Sequence, residues 1–530
     1  MSLPLLGKEL IEHANRRRTY VARVIYAVAL VGVYGVVQLQ MSQMYGAQGA
    51  SLLGQGGMLF EFLFRMQAIG ILIVMPAITA GAFTQEKETG SLILLLLTPL
   101  TPAKLVLQKW LSRVLIMSGF LVLALPLAAM AYAYGGFSAD FLVAGSAVLL
   151  LLYLQVGAFA ILMSAWFRST VAAFIAAYVG VMTVDFLVPP AIAPWLAIDM
   201  VSHLGSSGTS LQLWPNARHV LATVVVMLVI ASSVLAWRAR ASGGNPVLGI
   251  FRGLDRLFNR GDELLGRRRR VVSLPVSQPI AWLEFNRRSL ANWRYLIRLL
   301  VPIELLIAGY IGLVSGGMSN HLWLYILLLP LVVLVLLVLG TSLIAGERSG
   351  QTLDVLLTTS ISPKSIIRQK MRALYRILIA LCVPLLTVVL YPLVGRPTAF
   401  GSSGDDNILG HVLTISILLP LMAWLAVWIG LVITNRIRAM VTAVIATVIW
   451  LGGGLILQFL LLMVGGYRME GPANLLSSFT PLAMETYGLL VGSGNMDATP
   501  IVLWCVLHLS LLLVIRHVCL SRAAALLLRA

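Results

Sequence analysis

The sequence predicts an all-α membrane protein of about twelve transmembrane helices, in two parallel six-helix repeats with pseudo-twofold symmetry along the membrane normal. Three observations predict this fold. The first is composition: 59% of the 530 residues are hydrophobic, 11% are charged, and the mean hydropathy is +0.93. A chain of this composition lacks the polar groups to cover a soluble surface. The second is that its apolar runs are long and continuous, and the third is that one polar loop pattern occurs twice.

The apolar runs predict helices, because lipid offers backbone groups no hydrogen-bond partner and barrel strands would alternate apolar with polar residues. A span requires about 20 predominantly apolar residues. The first six predicted spans are residues 21–40, 60–83, 111–133, 141–165, 170–188 and 219–237. The other six are residues 299–316, 322–345, 377–394, 411–433, 440–464 and 501–516. Shorter apolar stretches within residues 189–217 and 465–500 predict either re-entrant outer helices or plain loops.

The net charge of +18 is explained by membrane topology rather than by a nucleic-acid partner. If the N-terminus is cytoplasmic, only Arg65, Arg218, Arg396 and Arg468 of the 38 Lys and Arg lie within or beyond the outer half of the membrane. This positive-inside distribution predicts that both termini are cytoplasmic. We therefore expect a multi-pass protein of the cytoplasmic (inner) membrane of a bacterium, with membrane lipid around it and no nucleic acid as a partner.

The polar loop pattern occurs at residues 86–109 and again, without a gap, at residues 347–370. Two weaker echoes flank it: Pro4 and Glu9 recur as Pro279 and Glu284, and residues 164–176 resemble residues 434–446. The echoes follow the same order on the same side of the membrane, so the repeats are predicted to be parallel. We expect a first six-span repeat at residues 1–240 that begins with an amphipathic helix, a basic cytoplasmic linker at 241–278, and a second six-span repeat at 279–530.

The linker is predicted to lie along the membrane surface. Apolar residues recur every three or four positions across residues 250–265, which is typical of an amphipathic interfacial helix, and four consecutive arginines follow at residues 267–270. Arginines near an anionic leaflet attract it. Specific docking of a partner on this segment is the alternative.

The sequence contains no motif for catalysis, for a cofactor or for a metal. It has no phosphate-binding G-x-x-x-x-G-K-[ST] loop, no H-E-x-x-H and no G-x-S-x-G. Cys382, Cys505 and Cys519 have the spacing of neither a metal site nor a disulfide framework. We therefore expect no enzyme activity and no cofactor in this chain.

The doubled loop resembles the cytoplasmic loop between the second and third spans of type-2 ABC exporter permeases, the membrane subunits of ATP-binding-cassette transporters. The shared pattern is an acidic-basic pair, a Leu, a Leu-Leu pair, a Thr, a Pro four residues on and a Lys seven further. The resemblance covers both halves, as two six-span permease units fused in tandem. In the family this loop forms a short coupling helix that sits in a groove of the ATPase.

The resemblance implies docking sites for two copies of an ATP-binding-cassette ATPase subunit. The site residues would be Glu86, Lys87, Leu92, Thr98, Pro102 and Lys109 in the first loop, and Glu347, Arg348, Leu353, Thr359, Pro363 and Lys370 in the second. The alternative is that Glu86 and Lys87 only cap the second span; retention of the pattern in both copies favours docking. The second copy has Gly350 one position before the register of Gly90, and Asp354 in place of Ile93, so unequal binding at the two sites stays open.

The predicted function is export of an amphipathic substrate, such as a lipid, a glycan or a drug-like molecule, driven by the separate ATPase. One alternative is a non-transporting membrane scaffold that couples an ATPase to an envelope or motility machine, with a periplasmic accessory protein as an optional partner. An ion-coupled carrier is a third reading, weakened by the scarcity of carboxylates inside the spans. Glu304, which follows Pro302 in the seventh span, is the one residue predicted to lie in the pathway, because charges inside spans usually mark function.

Overall fold

The computed structural model describes residues 4–15, 17–44, 53–187, 213–240, 278–287, 293–314, 320–395, 408–465 and 498–527. These residues form helices and the turns that join them, which confirms the all-α prediction for the part of the chain described. The predicted linker helix and its four arginines lie outside the described residues. So do nearly all of the two outer segments that were predicted as re-entrant helices or loops.

We call residues 4–240 the first half and residues 278–527 the second half. The helices of the first half are α1 (Pro4–Ala14), α2 (Arg17–Met44), α3 (Gly56–Thr79), α4 (Gly81–Glu88), α5 (Leu92–Leu96), α6 (Pro102–Ala133), α7 (Ala139–Trp166), α8 (Thr170–Leu187) and α9 (Leu213–Arg240). The helices of the second half are α10 (Pro279–Arg287), α11 (Trp293–Val314), α12 (Asn320–Ser349), α13 (Leu353–Leu357), α14 (Pro363–Gly395), α15 (Ile408–Val432), α16 (Arg436–Gly465), α17 (Ala498–Ser521) and α18 (Ala523–Leu527).

Each of the twelve predicted spans coincides with one of these helices. Among the described residues, eight helices are long and apolar enough to cross a membrane, with α3 and α4 taken as one, and three shorter apolar helices lie at Arg23–Gly32, Thr170–Met182 and Leu300–Ile311. The remaining predicted span lies within α16, a helix of 30 residues. The chain is therefore a multi-pass membrane protein, while the count of twelve crossings stays a prediction.

Apart from α4 and α18, the described helices occur in the same order in both halves, and the two short loop helices, α5 and α13, lie in register. The five-residue helix α5 starts at Leu92 and α13 starts at Leu353, at positions that the sequence repeat aligns. The long helices that follow begin at Pro102 and Pro363. Proline suits a first helical position, because the missing N–H would have no partner inside the helix there. The Thr101 side chain caps α6 by accepting a hydrogen bond from the Lys104 N–H at 3.4 Å.

The two halves meet through a shared apolar cluster. Ala77 and Ala80 from the end of α3, together with Phe174 and Tyr178 from α8, are buried against residues of the second half. Those residues are Leu334, Val338, Met440 and Val444. Helix α8 packs on α12, and α16 packs on α3. In each half, the fifth predicted span therefore packs against the second predicted span of the other half. A twofold relation between the halves would produce this reciprocal contact.

Candidate functional site

The two predicted docking loops follow the same backbone path. In the first loop α4 ends at Glu88, Gly90 has a φ of +75°, and α5 follows; in the second loop α12 ends at Ser349, Gln351 has a φ of +54°, and α13 follows. The short helices are closed by the same contact. The Thr98 hydroxyl donates to the Leu95 carbonyl at 2.5 Å, and the Thr359 hydroxyl donates to the Leu356 carbonyl at 2.6 Å. The predicted site threonines thus fix the ends of the two short helices.

Lys109 and Lys370 lie inside the helix bundle and not at the tips of the loops. Each is 2% exposed. The Lys109 ammonium contacts the Glu86 carboxylate, donates to the Ala82 carbonyl at 2.7 Å and lies over the Phe83 ring, 4.9 Å from its centroid. This buried ion pair joins α4 to α6. A partner protein cannot contact the Lys109 ammonium directly, and the same burial applies to Lys370.

Lys370 holds two carboxylates in the second half. Its ammonium lies 2.7 Å from the Glu284 carboxylate and 3.2 Å from the Glu347 carboxylate. Glu347 also accepts a hydrogen bond from the Thr352 hydroxyl at the start of α13. The contact of Lys370 with Glu347 joins α14 to α12, as the contact of Lys109 with Glu86 joins α6 to α4. The contact of Lys370 with Glu284 also joins α14 to α10, the helix that precedes the spans of the second half.

Sequence analysis did not assign a role to the residues that fix these preceding helices. The Gln108 amide oxygen accepts from the Leu5 N–H of α1 at 3.0 Å, and the Gln369 amide oxygen accepts from the Ile280 N–H of α10 at 3.0 Å. Glu9 of α1 accepts from the Ser112 hydroxyl and lies 3.9 Å from the Arg113 guanidinium. The recurrence of Gln108 as Gln369, and of Glu9 as Glu284, is the signal that could have identified them.

Lys87 and Arg348 cap the ends of neighbouring helices. The Lys87 ammonium donates to the Ser164, Ala165 and Phe167 carbonyls at 2.7, 2.6 and 3.0 Å, at the C-terminus of α7. The Arg348 guanidinium donates to the Leu431 carbonyl at 2.8 Å, at the C-terminus of α15. A cation at a helix C-terminus satisfies carbonyls that have no partner within the helix and interacts favourably with the helix dipole. Both cations thus tie the second predicted span of a half to its fourth.

Each loop exposes at least one large apolar side chain on its short helix or directly after it. Ile93, Leu94 and Leu97 are 68%, 69% and 77% exposed, and Val355 in the second loop is 67% exposed. Beneath them Leu92 is half-buried and Leu353 is 2% exposed. We call these four exposed residues the loop tips. They were not among the predicted site residues, although large apolar side chains in a polar loop are a signal of a contact surface.

Glu88, at the end of α4, connects the first loop to both halves. Its carboxylate accepts from the Thr170 N–H at the start of α8 at 2.7 Å and from the Arg436 guanidinium at the start of α16 at 3.0 Å. The first contact caps a helix of the same half, and the second is an ion pair with the other half.

Glu304 lies on α11 and is half-buried. Its Oε1 is buried and has no hydrogen-bond partner among the described residues. This environment is unusual for a carboxylate, and the predicted pathway role of Glu304 stays a prediction. Among the described residues, no three His, Cys, Asp or Glu side chains are grouped closely enough to hold a metal ion.

The sequence is similar to one known family over part of its length. A family model described as ABC-2 family transporter protein matches residues 3–236, which span almost all of the first predicted repeat. No curated protein matches the chain.

Proposed function

We propose that the chain is an exporter permease driven by two separate ATPase subunits, because a model of the ABC-2 family of transporter proteins matches residues 3–236. As an ABC-2 permease it is the membrane subunit of an ABC transporter. The finer proposal is that it moves an amphipathic substrate outward across the inner membrane. In this proposal the two loops, residues 86–109 and 347–370, are the places where the ATPase subunits bind.

The observation that carries the proposal is the pairing of an exposed apolar tip with a buried ion pair in both loops. Ile93, Leu94 and Leu97 are exposed in the first loop, while Lys109 and Glu86 fix its base. Val355 and the Lys370 pairs repeat the arrangement in the second loop. An apolar surface of this kind is unfavourable in water unless a partner covers it.

The base of each loop supports transmission of movement from a partner to the spans. Lys109 joins α4 to α6, and Lys87 joins α4 to the end of α7. These contacts fix the loop relative to α3, α6 and α7. A displacement of the loop tip would therefore move these helices together rather than bend the loop. Rigid-body movement of packed helices is a common form of conformational switching in transporters.

Vesicle transport with defined loop-tip variants tests the proposal. The variant Leu94→Asp with Val355→Asp places a carboxylate in each apolar tip, and Leu94→Ile with Val355→Ile is the matched control that keeps the tips apolar. We expect the aspartate variant to lose co-purification with the ATPase subunit and ATP-dependent movement of a fluorescent phospholipid, by about tenfold or more. The isoleucine control should retain both.

Three results would contradict parts of the proposal. Normal ATPase binding by the aspartate variant would remove the loop tips from the docking surface. Lipid movement without the ATPase subunit would favour the ion-coupled carrier. ATPase binding and hydrolysis with no movement of any amphipathic probe would favour the membrane scaffold.

A further inference from the structure

A cavity of about 820 Å³ lies between the two halves, beside the base of the first loop. Residues of α1, α3, α4 and α6 form one wall, and residues 432–442, at the turn from α15 to α16, form the other. This volume is within the range of pockets that bind small molecules. We call it the interhalf cavity.

The lining of the interhalf cavity is both charged and apolar. Its carboxylates are Glu9, Glu12 and Glu86, and its cations are Lys109, Arg113 and Arg438. These formal charges cancel. The apolar part of the wall includes Ile78, Ile437 and Val441. Such a lining suits a ligand that carries a positive and a negative group at one end and hydrocarbon at the other.

Comparison of the two halves separates the residues that the fold requires from those that it does not. Glu9, Glu86, Lys109 and Arg438 correspond to Glu284, Glu347, Lys370 and Arg168 in the other half, so the same charges recur there. Four other polar lining residues have apolar or glycine counterparts: Gln85 aligns with Gly346, Arg113 with Leu374, Asn435 with Ala165, and Thr442 with Ala172. Leu374 and Ala165 are both buried, so the fold tolerates apolar residues at these positions.

One oxygen at the cavity is ready to accept a hydrogen bond. Glu86 uses Oε1 for Lys109, while its Oε2 is buried and has no partner among the described residues. A buried carboxylate oxygen without a donor is costly, and an ammonium group of a ligand would satisfy it. On the opposite wall, the Arg438 guanidinium is exposed and suits a phosphate.

From these observations we infer that the interhalf cavity binds one zwitterionic amphiphile, a molecule with a phosphate and an amine in its head group. The phosphate lies against Arg113 and Arg438, the amine against Glu86, and the hydrocarbon against Ile78, Ile437 and Val441. This inference rests on the proposed function and deepens it, because it names the class of substrate that the interhalf cavity would bind. The head group belongs either to a phospholipid or to a free phosphate-amine metabolite.

Photolabelling of the full chain in vesicles tests the inference without the ATPase subunit, so a failure of ATPase docking would leave the result unchanged. The probes are photoactivatable phosphatidylethanolamine and, separately, photoactivatable phosphatidylglycerol in phosphatidylcholine vesicles. We expect the ethanolamine probe to label peptides from residues 77–86 and 432–442, and the glycerol probe to label them about tenfold less.

The decisive variant is Arg113→Leu with Asn435→Ala, which installs the residues that the other half carries at these positions. We expect it to reduce labelling by the ethanolamine probe about tenfold, as removal of a charge-assisted contact predicts. Arg372→Leu removes an exposed guanidinium from the equivalent helix of the second half and should label normally. If the double variant does not fold, Asn435→Ala with Thr442→Ala is the milder substitute.

Competition identifies the source of the head group. Loss of labelling on addition of free phosphoethanolamine would assign the site to a soluble metabolite, and persistence of labelling would assign it to the lipid. Equal labelling by both probes, or labelling that the cavity variants leave unchanged, would overturn the inference.

Discussion

The carboxylate of Glu88 in the first half lies 3.0 Å from the guanidinium of Arg436 in the second half. In the sequence repeat, Glu88 aligns with Ser349 and Arg436 aligns with Trp166. A serine and a tryptophan cannot form an ion pair, so the connection between the halves at this level is one-sided. The first loop is tied to both halves, and the second loop has no equivalent of this contact among the described residues.

The Glu88 and Arg436 pair predicts unequal effects of two substitutions. Arg436→Gln removes the interhalf ion pair and should lower the free energy of unfolding by about 1 kcal/mol or less for that pair, because both side chains are partly exposed. Glu88→Gln weakens the pair and Glu88→Ala also removes the cap of α8, which should cost about 1 kcal/mol more. Thermal unfolding of the purified protein in detergent measures the difference. Equal effects of Arg436→Gln and Glu88→Ala would show that the cap contributes nothing.

The buried lysines Lys109 and Lys370 predict that their substitution by methionine destabilises the protein to different extents. Lys370→Met removes the ammonium that contacts both Glu284 and Glu347 in a site where these side chains are only 4% and 11% exposed, and loss of one partner of a buried pair costs about 3–5 kcal/mol. Lys109→Met should cost less, because the Glu86 side chain is 22% exposed and water can reach it. Expression level and thermal unfolding of the two variants test the ranking.

The control for this ranking neutralises the carboxylates as well. Lys370→Met combined with Glu284→Gln and Glu347→Gln should recover part of the lost stability, because the two negative charges that faced the lysine are removed with it. A triple variant that is less stable than Lys370→Met alone would argue that the carboxylates contribute through other contacts.

The sequence was sufficient to predict the helices, because hydropathy is a local and additive signal, while the repeat architecture stays a prediction. All twelve predicted spans coincide with helices, and the short helices of both loops start at aligned positions. The contacts of the charged side chains could not be predicted from hydropathy or from internal similarity. Lys109 meets Glu86 only because α4 and α6 pack side by side, and the sequence shows the spacing but not the packing.

The presence of the same residue at aligned positions of both loops has two explanations that the sequence cannot separate. A residue persists because a partner requires it or because the fold requires it. Lys87, Lys109, Arg348 and Lys370 were predicted to contact an ATPase, yet all four make contacts within the bundle. The exposed tips, where a partner has access, differ more: Ile93 aligns with Asp354. Burial supplies the distinction, and burial depends on tertiary structure.

The turn that precedes each short helix predicts a backbone effect. Gly90 and Gln351 have φ values of +75° and +54°, so the second loop keeps the left-handed turn without a glycine in register. Gly90→Val should destabilise the protein by about 1–2 kcal/mol, because a branched side chain disfavours this conformation, whereas Gly90→Asn should cost less. No neighbouring atom lies within 4 Å of the site among the described residues, so the cost is conformational rather than steric crowding. Thermal unfolding of both variants, with Gln351→Asn as the matched change in the second loop, measures it. Equal destabilisation by valine and asparagine would contradict this account.

The two loop tips predict unequal affinity for the ATPase subunit. The first tip exposes Ile93, Leu94 and Leu97, whereas the second exposes Val355 beside the exposed Asp354. Burial of one large apolar side chain contributes about 1.5–3 kcal/mol, so the first site should bind more tightly. Titration of the permease with labelled ATPase subunit should show two steps, with Leu94→Asp weakening the tighter step and Val355→Asp the weaker one. Asp354→Ile, which copies the first tip, should strengthen the weaker step by about tenfold, since 1.4 kcal/mol corresponds to that factor. A single step with equal effects of both aspartate variants would show that the difference in exposed apolar surface does not set affinity.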